Sequence, residues 1–303
     1  AGLTQLALFS GVSLFLLMGM AAGAEGLFYR GLVGLSETSA RGRRLSEAEI
    51  SRRTSSGRRP IRALFLREWR LMNRTPIFLL NGTLTVIIIP VMMLVMARAG
   101  STDSDLTSLF AMLASRSPLV SILASAAFMT ICGSLNGTAS SALSREGGQF
   151  WLSKVIPVSP RDQLTAKFLH SYLVTCAGIA AATLVLLFQL RLRPNDILWA
   201  LGLALPVGFI LTTAGLAIDL ARPLLDWTNP QKAIKQNLNV LFAMLAGIGF
   251  LFAMGWLAAA MMKRGVSGPA VVGLFAALFA ALSAAGTVLL FRFARRRYAE
   301  IEP

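Results

Sequence analysis

Acidic residues and histidine are scarce in this 303-residue chain, which contains 14 Asp and Glu residues and a single His. Charged residues of both signs make up 14% of the sequence, whereas soluble domains contain about a quarter. Hydrophobic residues make up 55%, and the mean hydropathy is +0.65. This composition predicts an all-α, polytopic helical membrane protein.

Residues and motifs that enzymatic and metal sites require are also missing. His170 alone cannot build a bis-histidine haem site or an HExxH zinc site. Cys132 and Cys176 both lie in apolar runs, which favours small buried side chains over a disulfide or a metal site. No Gly-Lys pair and no Gly-x-Ser-x-Gly motif occurs, so the chain has no P-loop. We therefore expect no catalytic residue and no metal or cofactor bound by this chain.

Seven stretches are long and apolar enough to cross a bilayer, which takes about 20 residues. They are Leu3–Leu27, Pro76–Ala97, Leu119–Leu143, Leu164–Leu190, Ile197–Ile218, Leu238–Met262 and Pro269–Phe291. The central turns of the second to seventh contain no ionisable residue, and Lys167 and His170 lie only in the first turns of the fourth. Ionisable groups in the membrane mark ion-coupled transport, so this pattern argues against an antiporter and against intramembrane hydrolysis.

The net charge of +15 comes from arginines concentrated in particular loops rather than along one face, which disfavours nucleic-acid binding. Most of them lie between the first two spans or after the last one. The positive-inside rule places both segments in the cytoplasm. The first residue is then outside and the last residue inside.

The segment between the first two spans divides near residue 60. Residues 30–60 are rich in Arg, Ser, Gly and Glu and indicate a basic linker. Residues 61–74 repeat apolar side chains at helical spacing with Arg62, Arg67 and Arg70 facing away, which predicts an amphipathic helix in the headgroup plane or a solvated helix that only anchors the chain. We predict that residues 1–29 are the last span of a preceding half and that residues 61–303 form a six-span unit.

The polar stretch "REGGQFWLSKVIPVSPRDQ" separates the third and fourth spans. Gly147 and Gly148 should end one helix, and Ser159 should cap the next, with Pro160 at its first position. Between them, about two helical turns are expected at residues 149–156. Exposed aromatic residues beside a cation are typical of partner hot spots, although headgroup anchoring would use the same side chains.

A second polar loop, "DLARPLLDWTNPQKAIKQNLNV", has a similar pattern. Asn229 is the predicted N-cap of a helix that begins with Pro230. Two ion pairs are expected, Asp219 with Arg222 and Asp226 with Lys232. Asn237 and Asn239 are expected to hydrogen-bond to neighbouring helices.

Three motifs carry a resemblance to a known family: "FLREWRLMNRTPIFLLNG", "SLNGTASSALSREGGQFWLSKVIPVSPRDQLTAKFL" and "DWTNPQKAIKQNLNV". Their order and spacing resemble the permease subunits of type-2 ABC exporters, and more narrowly the C-terminal half of large bacterial permeases with two six-span halves. The similarity covers roughly residues 27–297. One departure is Gly148, where the family commonly has Lys after Glu-Gly.

The resemblance implies a bacterial inner-membrane protein that is not itself an enzyme. Its partners would be an ABC ATP-binding subunit, which holds ATP and Mg, and the N-terminal half of the same permease. It also implies a connecting helix at 61–74 and a coupling loop at 145–161. The implied site residues are Arg67, Glu68 and Trp69 in the connecting helix, Arg145, Glu146, Gln149, Phe150, Trp151, Lys154 and Arg161 as ATPase contacts, and Asp226, Trp227, Lys232 and Lys235 in the second loop.

Two hypotheses of different classes follow. In the first, the chain is half of an exporter permease that couples ATP hydrolysis by the partner to translocation. In the second, it is a non-transporting membrane scaffold that anchors a cytoplasmic partner, which would need the same loops. An apolar, uncharged interior favours a lipid-like or amphipathic cargo over a small ion.

Overall fold

Helices make up all of the regular secondary structure in the residues that this computed structural model describes. The described residues are 10–11, 13–15, 17–20, 60–98, 112, 117–134, 136–188 and 192–301. The chain divides into two units, Ala1–Gly57 and Arg58–Pro303. The described residues between 10 and 20, in the first unit, are helical.

The described residues of the second unit form a succession of helices. Its α-helices are α1 (Pro60–Arg74), α2 (Thr85–Arg98), α3 (Pro118–Ser134), α4 (Phe150–Val155), α5 (Pro160–Phe188), α6 (Pro194–Ala221), α7 (Pro230–Ile234), α8 (Leu238–Lys263) and α9 (Gly268–Glu300). A short turn, Pro76–Phe78, and a π-helix, Leu79–Thr83, precede α2, and a 3-10 helix, Ser144–Gln149, precedes α4.

Four described helical segments are long and apolar enough to cross a membrane: Pro160–Phe188, Pro194–Ala221, Pro230–Lys263 and Gly268–Glu300. This finding is compatible with a multi-pass membrane protein. The predicted number of seven spans is not confirmed. The first predicted span falls largely outside the described residues, and the second is broken before the 14-residue α2. The third is a 17-residue apolar helix.

The third predicted span ends earlier in the structure than its composition suggests, because α3 stops at Ser134 rather than near Leu143. Asn136 causes the stop: its Nδ2 donates to Gly133 O at 2.6 Å, and its Oδ1 accepts from Thr138 N at 2.9 Å. Both bonds are local, and Gly137 follows with a φ of 29°. A side chain that satisfies its own backbone in this way competes with helix formation.

Packing of α3, α5, α6 and α9 forms the apolar core of the bundle, with Met129, Ile179, Ala204 and Phe275 among the buried side chains. By contrast, α8 exposes large apolar side chains along its length, and Phe252 and Trp256 are each 75% exposed. Apolar surface of this extent is unusual on a soluble monomer. It is the surface expected of a helix that faces lipid or another membrane segment.

The helical bundle of the second unit has two ends, which we call the α4 end and the far end. The α4 end contains the first turns of α5 and the last turns of α6 and α9. The far end contains the first residues of α3, α6 and α9: Pro118, Pro194 and Gly268.

Close contact between α3 and α5 predicts an effect of one substitution on stability. A Cβ added at Gly178 would lie 2.7 Å from Gly133 Cα and 2.8 Å from Cys132 O, both atoms of the α3 backbone. Gly178→Ala should therefore force the helices apart and lower the free energy of unfolding by about 1–3 kcal/mol. Thermal unfolding of the purified protein in detergent measures the loss.

Gly202→Ala in α6 is the matched control, because a Cβ there meets nothing within 4 Å. It should leave stability unchanged or raise it by up to about 1 kcal/mol through helix propensity. Equal effects of the two substitutions would contradict the close packing of α3 on α5.

Candidate functional site

The polar loop before α5 folds into the 3-10 helix and α4, which turn sharply at Gly147. Gly147 has a φ of 51°, and a Cβ there would lie 2.7 Å from the Trp227 indole. The Trp227 Nε1 donates to Ser144 O at 2.7 Å. The glycine break predicted here is present, and the second polar loop packs directly against it.

An ion-pair network lies directly behind α4, and we call Arg67, Glu68, Arg145, Glu146 and Lys167 the charge cluster. Lys167 Nζ is 2.7 Å from Glu68 Oε1 and 2.6 Å from Glu146 Oε1. Arg145 NH2 is 3.7 Å from Glu68 Oε2, and Arg67 NH2 is 3.5 Å from Glu146 Oε2. All of these side chains are buried except Arg67, which is partly buried. The cluster joins α1, the 3-10 helix and α5.

Electrostatics in the cluster favour the charged form of its central acid. Burial opposes ionisation of Glu68, but the charges of Lys167, Arg145 and Arg67 outweigh it and hold the pKa of Glu68 below its ordinary value. Burial lowers the pKa of Arg145, against the opposing charges of Glu68, Asp219 and Glu146. Arg145 NH1 also donates to Thr138 O at 2.6 Å and to Ser141 Oγ at 2.9 Å.

Ser153 connects α4 to the charge cluster. Its Oγ donates to Glu146 Oε2 at 2.5 Å and accepts from Arg67 NH1 at 2.9 Å. Its carbonyl accepts from Gln163 Nε2 in α5 at 2.7 Å, and Gln163 in turn accepts from Tyr298 OH in α9. These bonds attach the inner face of α4 to α1, α5 and α9.

Asp219, in the last turn of α6, fixes the backbone where the 3-10 helix begins. Its carboxylate accepts from Leu143 N at 2.6 Å, from Ser144 N at 3.1 Å and from Ser144 Oγ. Asn239 Nδ2 in α8 also donates to it, at 3.0 Å. The predicted pairing of Asp219 with Arg222 is wrong, because the Asp219 carboxylate accepts its hydrogen bonds from these other donors. The contact that Arg222 makes here is through its carbonyl, which accepts from Asn239 Nδ2. The expected contact of Asn239 with a neighbouring helix is confirmed.

The structure separates the residues implied as ATPase contacts into two groups. Arg145, Glu146 and Phe150 are buried and have their contacts within the chain, with the Phe150 ring 5.5 Å from that of Tyr298. The exposed group is Gln149, Trp151, Lys154 and Arg161.

Three of the exposed side chains make few contacts with the rest of the chain. Trp151 is 50% exposed. Lys154 Nζ donates to Ala299 O at 3.2 Å, and the Arg161 guanidinium lies 5.2 Å from the centre of the Phe291 ring. Of the implied residues in this loop, only this exposed group is open to a partner.

The remaining implied residues lie beside the charge cluster or on the adjacent loop. In α1, Arg67 is expected on the outward polar face, but its guanidinium contacts Glu146 and Ser153 in the charge cluster, so the predicted orientation is wrong. Glu68 is buried, and Trp69 is partly exposed with its ring 6.0 Å from that of His170. Trp227 packs on Gly147, whereas Asp226, Lys232 and Lys235 are exposed. The structure records no ion pair between the described residues Asp226 and Lys232, so that predicted pair is not formed.

Two helix caps at this end agree with the sequence. Ser159 Oγ donates to Asp162 Oδ2 at 2.8 Å and accepts from Asp162 N at 3.1 Å. Asn229 Oδ1 accepts from Gln231 N at 2.9 Å. Lys167, Gln163 and Asp219 were not among the predicted site residues. A polar residue within two turns of the end of a long apolar helix is the available signal for each of them.

Comparison of the chain with known protein families, with curated proteins and with solved structures finds no match. The family assignment therefore remains a prediction from the three sequence motifs. The geometry at the α4 end is an independent observation.

The charge cluster predicts a large and specific loss of stability. Glu68→Gln leaves the buried cations Lys167 and Arg145 with less opposing charge, and disrupting a buried ion pair in this way costs about 3 kcal/mol. Glu300→Gln, which removes the exposed pair with Arg297, should cost less than about 1 kcal/mol. Thermal or denaturant unfolding in detergent compares the two variants.

The loss in Glu68→Gln should also depend on pH. Because the pKa of Glu68 is lowered on folding, its contribution to stability is present above the ordinary value of 4.5 and disappears as the pH falls through the folded value. The stability difference between wild type and Glu68→Gln should therefore be constant near pH 7 and shrink below 4.5. A difference that does not change with acidification would contradict ionisation of Glu68 in the fold.

Proposed function

We propose that this chain is the C-terminal half of a permease subunit of an ABC exporter in the bacterial inner membrane. In this proposal it has seven spans, one from the preceding half and six in the unit that follows residue 60. Its last residue is cytoplasmic, and a separate subunit binds ATP and Mg and hydrolyses the ATP. The chain itself is not an enzyme.

The observation that carries the proposal is that one face of α4 is bonded to the bundle while the opposite face is exposed. This short helix exposes Trp151, Lys154 and Val155, while Phe150 and Ser153 fix its other face to the bundle. Exposed aromatic and apolar side chains beside a cation are typical of a partner contact. Exposed aromatic and apolar side chains add little to the stability of a short helix that has no partner. A coupling helix needs them, because they form its contact with the ATPase.

The charge cluster gives α4 a direct connection to the helices that would move. A displacement of α4 by the partner acts on Ser153, and through Glu146 on Lys167 in α5 and Arg67 in α1. Ser144 and Asp219 extend the same connection to α6 and α8. Packed side chains and hydrogen-bond networks carry energetic coupling between distant sites, so in this proposal the closing motion of an ATPase reaches four helices.

We expect the double substitution Trp151→Ala with Lys154→Glu to uncouple the permease without unfolding it. Loss of one aromatic hot spot costs about 2 kcal/mol or more, equivalent to roughly thirtyfold weaker binding of the partner. Substrate-stimulated ATPase activity and recovery of the complex should fall, while expression and the thermal stability of the permease stay near wild type.

Trp256→Ala is the matched control, because it truncates a more exposed indole on α8, away from α4. It should leave ATPase coupling unchanged. A photo-crosslinking amino acid in place of Trp151, followed by mass spectrometry, identifies the chain that contacts α4. The proposal requires that chain to contain a P-loop.

Two results would overturn the proposal. If the double variant is unstable but still binds and stimulates its ATPase normally, α4 is an interfacial anchor. If the crosslinked partner has no P-loop and the reconstituted complex moves no substrate in response to ATP, the chain is a membrane scaffold.

A further inference from the structure

A cavity of about 640 Å³ lies at the far end of the bundle, between the first turns of α3, α6 and α9. Small-molecule sites commonly enclose about 300–1,000 Å³. The cavity is remote from α4 and the charge cluster, since α5 and α6 run the length of the bundle between them. Neither the partner contact nor the mechanical connection described above uses it.

Asp196 is the one acidic residue among the described residues that line this cavity. It is only 7% exposed, and it forms no hydrogen bond or ion pair with any residue in the described part of the chain. Asp196 lies in the first turn of α6, where the helix dipole favours a negative charge, and the N-cap residue Arg193 makes no side-chain capping hydrogen bond. The carboxylate oxygens are therefore available to a ligand.

Trp199 stands three residues after Asp196 on the same face of α6, and its indole also lines the cavity. It is 53% exposed, so the ring is not used by the core. A carboxylate and an indole on one face are the two groups that together recognise an organic cation, by charge and by cation–π contact.

The other walls are apolar. Pro118, Leu119 and Ile122 contribute from α3, and Pro269 and Val272 from α9. No Lys or Arg is found among the described residues that line the cavity, and no ion pair of Asp196 with a described residue is present. We propose that this cavity binds a lipophilic monovalent cation, with the charge at Asp196 and Trp199 and the hydrophobic groups against α3 and α9. The proposal concerns binding by this chain alone and stands whether or not the chain belongs to an ABC exporter.

Tetraphenylphosphonium and tetraphenylborate test the proposal, because they are nearly identical in shape and opposite in charge. Equilibrium binding of each labelled probe is measured on the purified full chain in one detergent, and the ratio of the two dissociation constants is compared between variants. This ratio removes the contribution of partitioning into the micelle. Wild type should bind tetraphenylphosphonium saturably with one site per chain.

Asp196→Asn should shift the ratio toward the anion by about tenfold or more, since it removes the charge partner of a largely desolvated cation. Glu300→Gln is the control for loss of a negative charge elsewhere and should leave the ratio unchanged. Trp199→Leu should weaken the cation about fivefold and leave the anion nearly unaffected. An unchanged ratio in Asp196→Asn, or no saturable binding by wild type, overturns the proposal.

Gly273→Leu locates the probe independently of charge. Gly273 lines the cavity, and a side chain added there meets no atom within 4 Å of its Cβ. The variant should fold, occupy part of the cavity and weaken binding of tetraphenylphosphonium although Asp196 is intact. Undiminished binding to a folded Gly273→Leu protein places the probe elsewhere and also overturns the proposal.

Discussion

Burial of Lys167 between Glu68 and Glu146 is the constraint on which the α4 end of this protein depends. An ammonium group buried in an apolar bundle is stable only if it is paired and hydrogen-bonded. Here one acid comes from α1 and the other from the 3-10 helix before α4. The position of both segments is therefore set by the charge on α5, and so is the orientation of α4, which is attached to Glu146 through Ser153.

Hydrophobic burial and polar bonding act in different parts of the bundle. The core between α3, α5, α6 and α9 is apolar and specifies how these helices pack. At the α4 end, Asp219 and the charge cluster bond to backbone groups of irregular segments that have no other way to be satisfied. Such segments are tolerated within a membrane protein only where other parts of the protein cover them. The hydrogen bonds of Asp219 to Leu143 and Ser144 provide that cover.

Local features were predictable from sequence, whereas long-range partners were not. The caps at Ser159 and Asn229 follow from residue types within three positions of one another, and the structure has both. Helical periodicity places Arg67 on an outer face, because it separates two faces of a helix and does not say what packs on each. Arg145, Glu146 and Phe150 look exposed in a polar loop. Their partners lie on helices far along the chain, such as Glu68 and Tyr298, and spacing does not reveal those contacts.

The adjacent glycines 147 and 148 have opposite surroundings. The Trp227 indole fills the space beside Gly147, whereas a side chain at position 148 would meet no atom within 4 Å of its Cβ. Sequence variation should therefore be blocked at the first glycine and free at the second. The lysine that the resembling permeases commonly carry at the second position would fit on this backbone without rearrangement. A lysine at position 148 would add a positive charge next to α4 and leave the fold as it is, so the charge of the surface beside α4 can change through that one position.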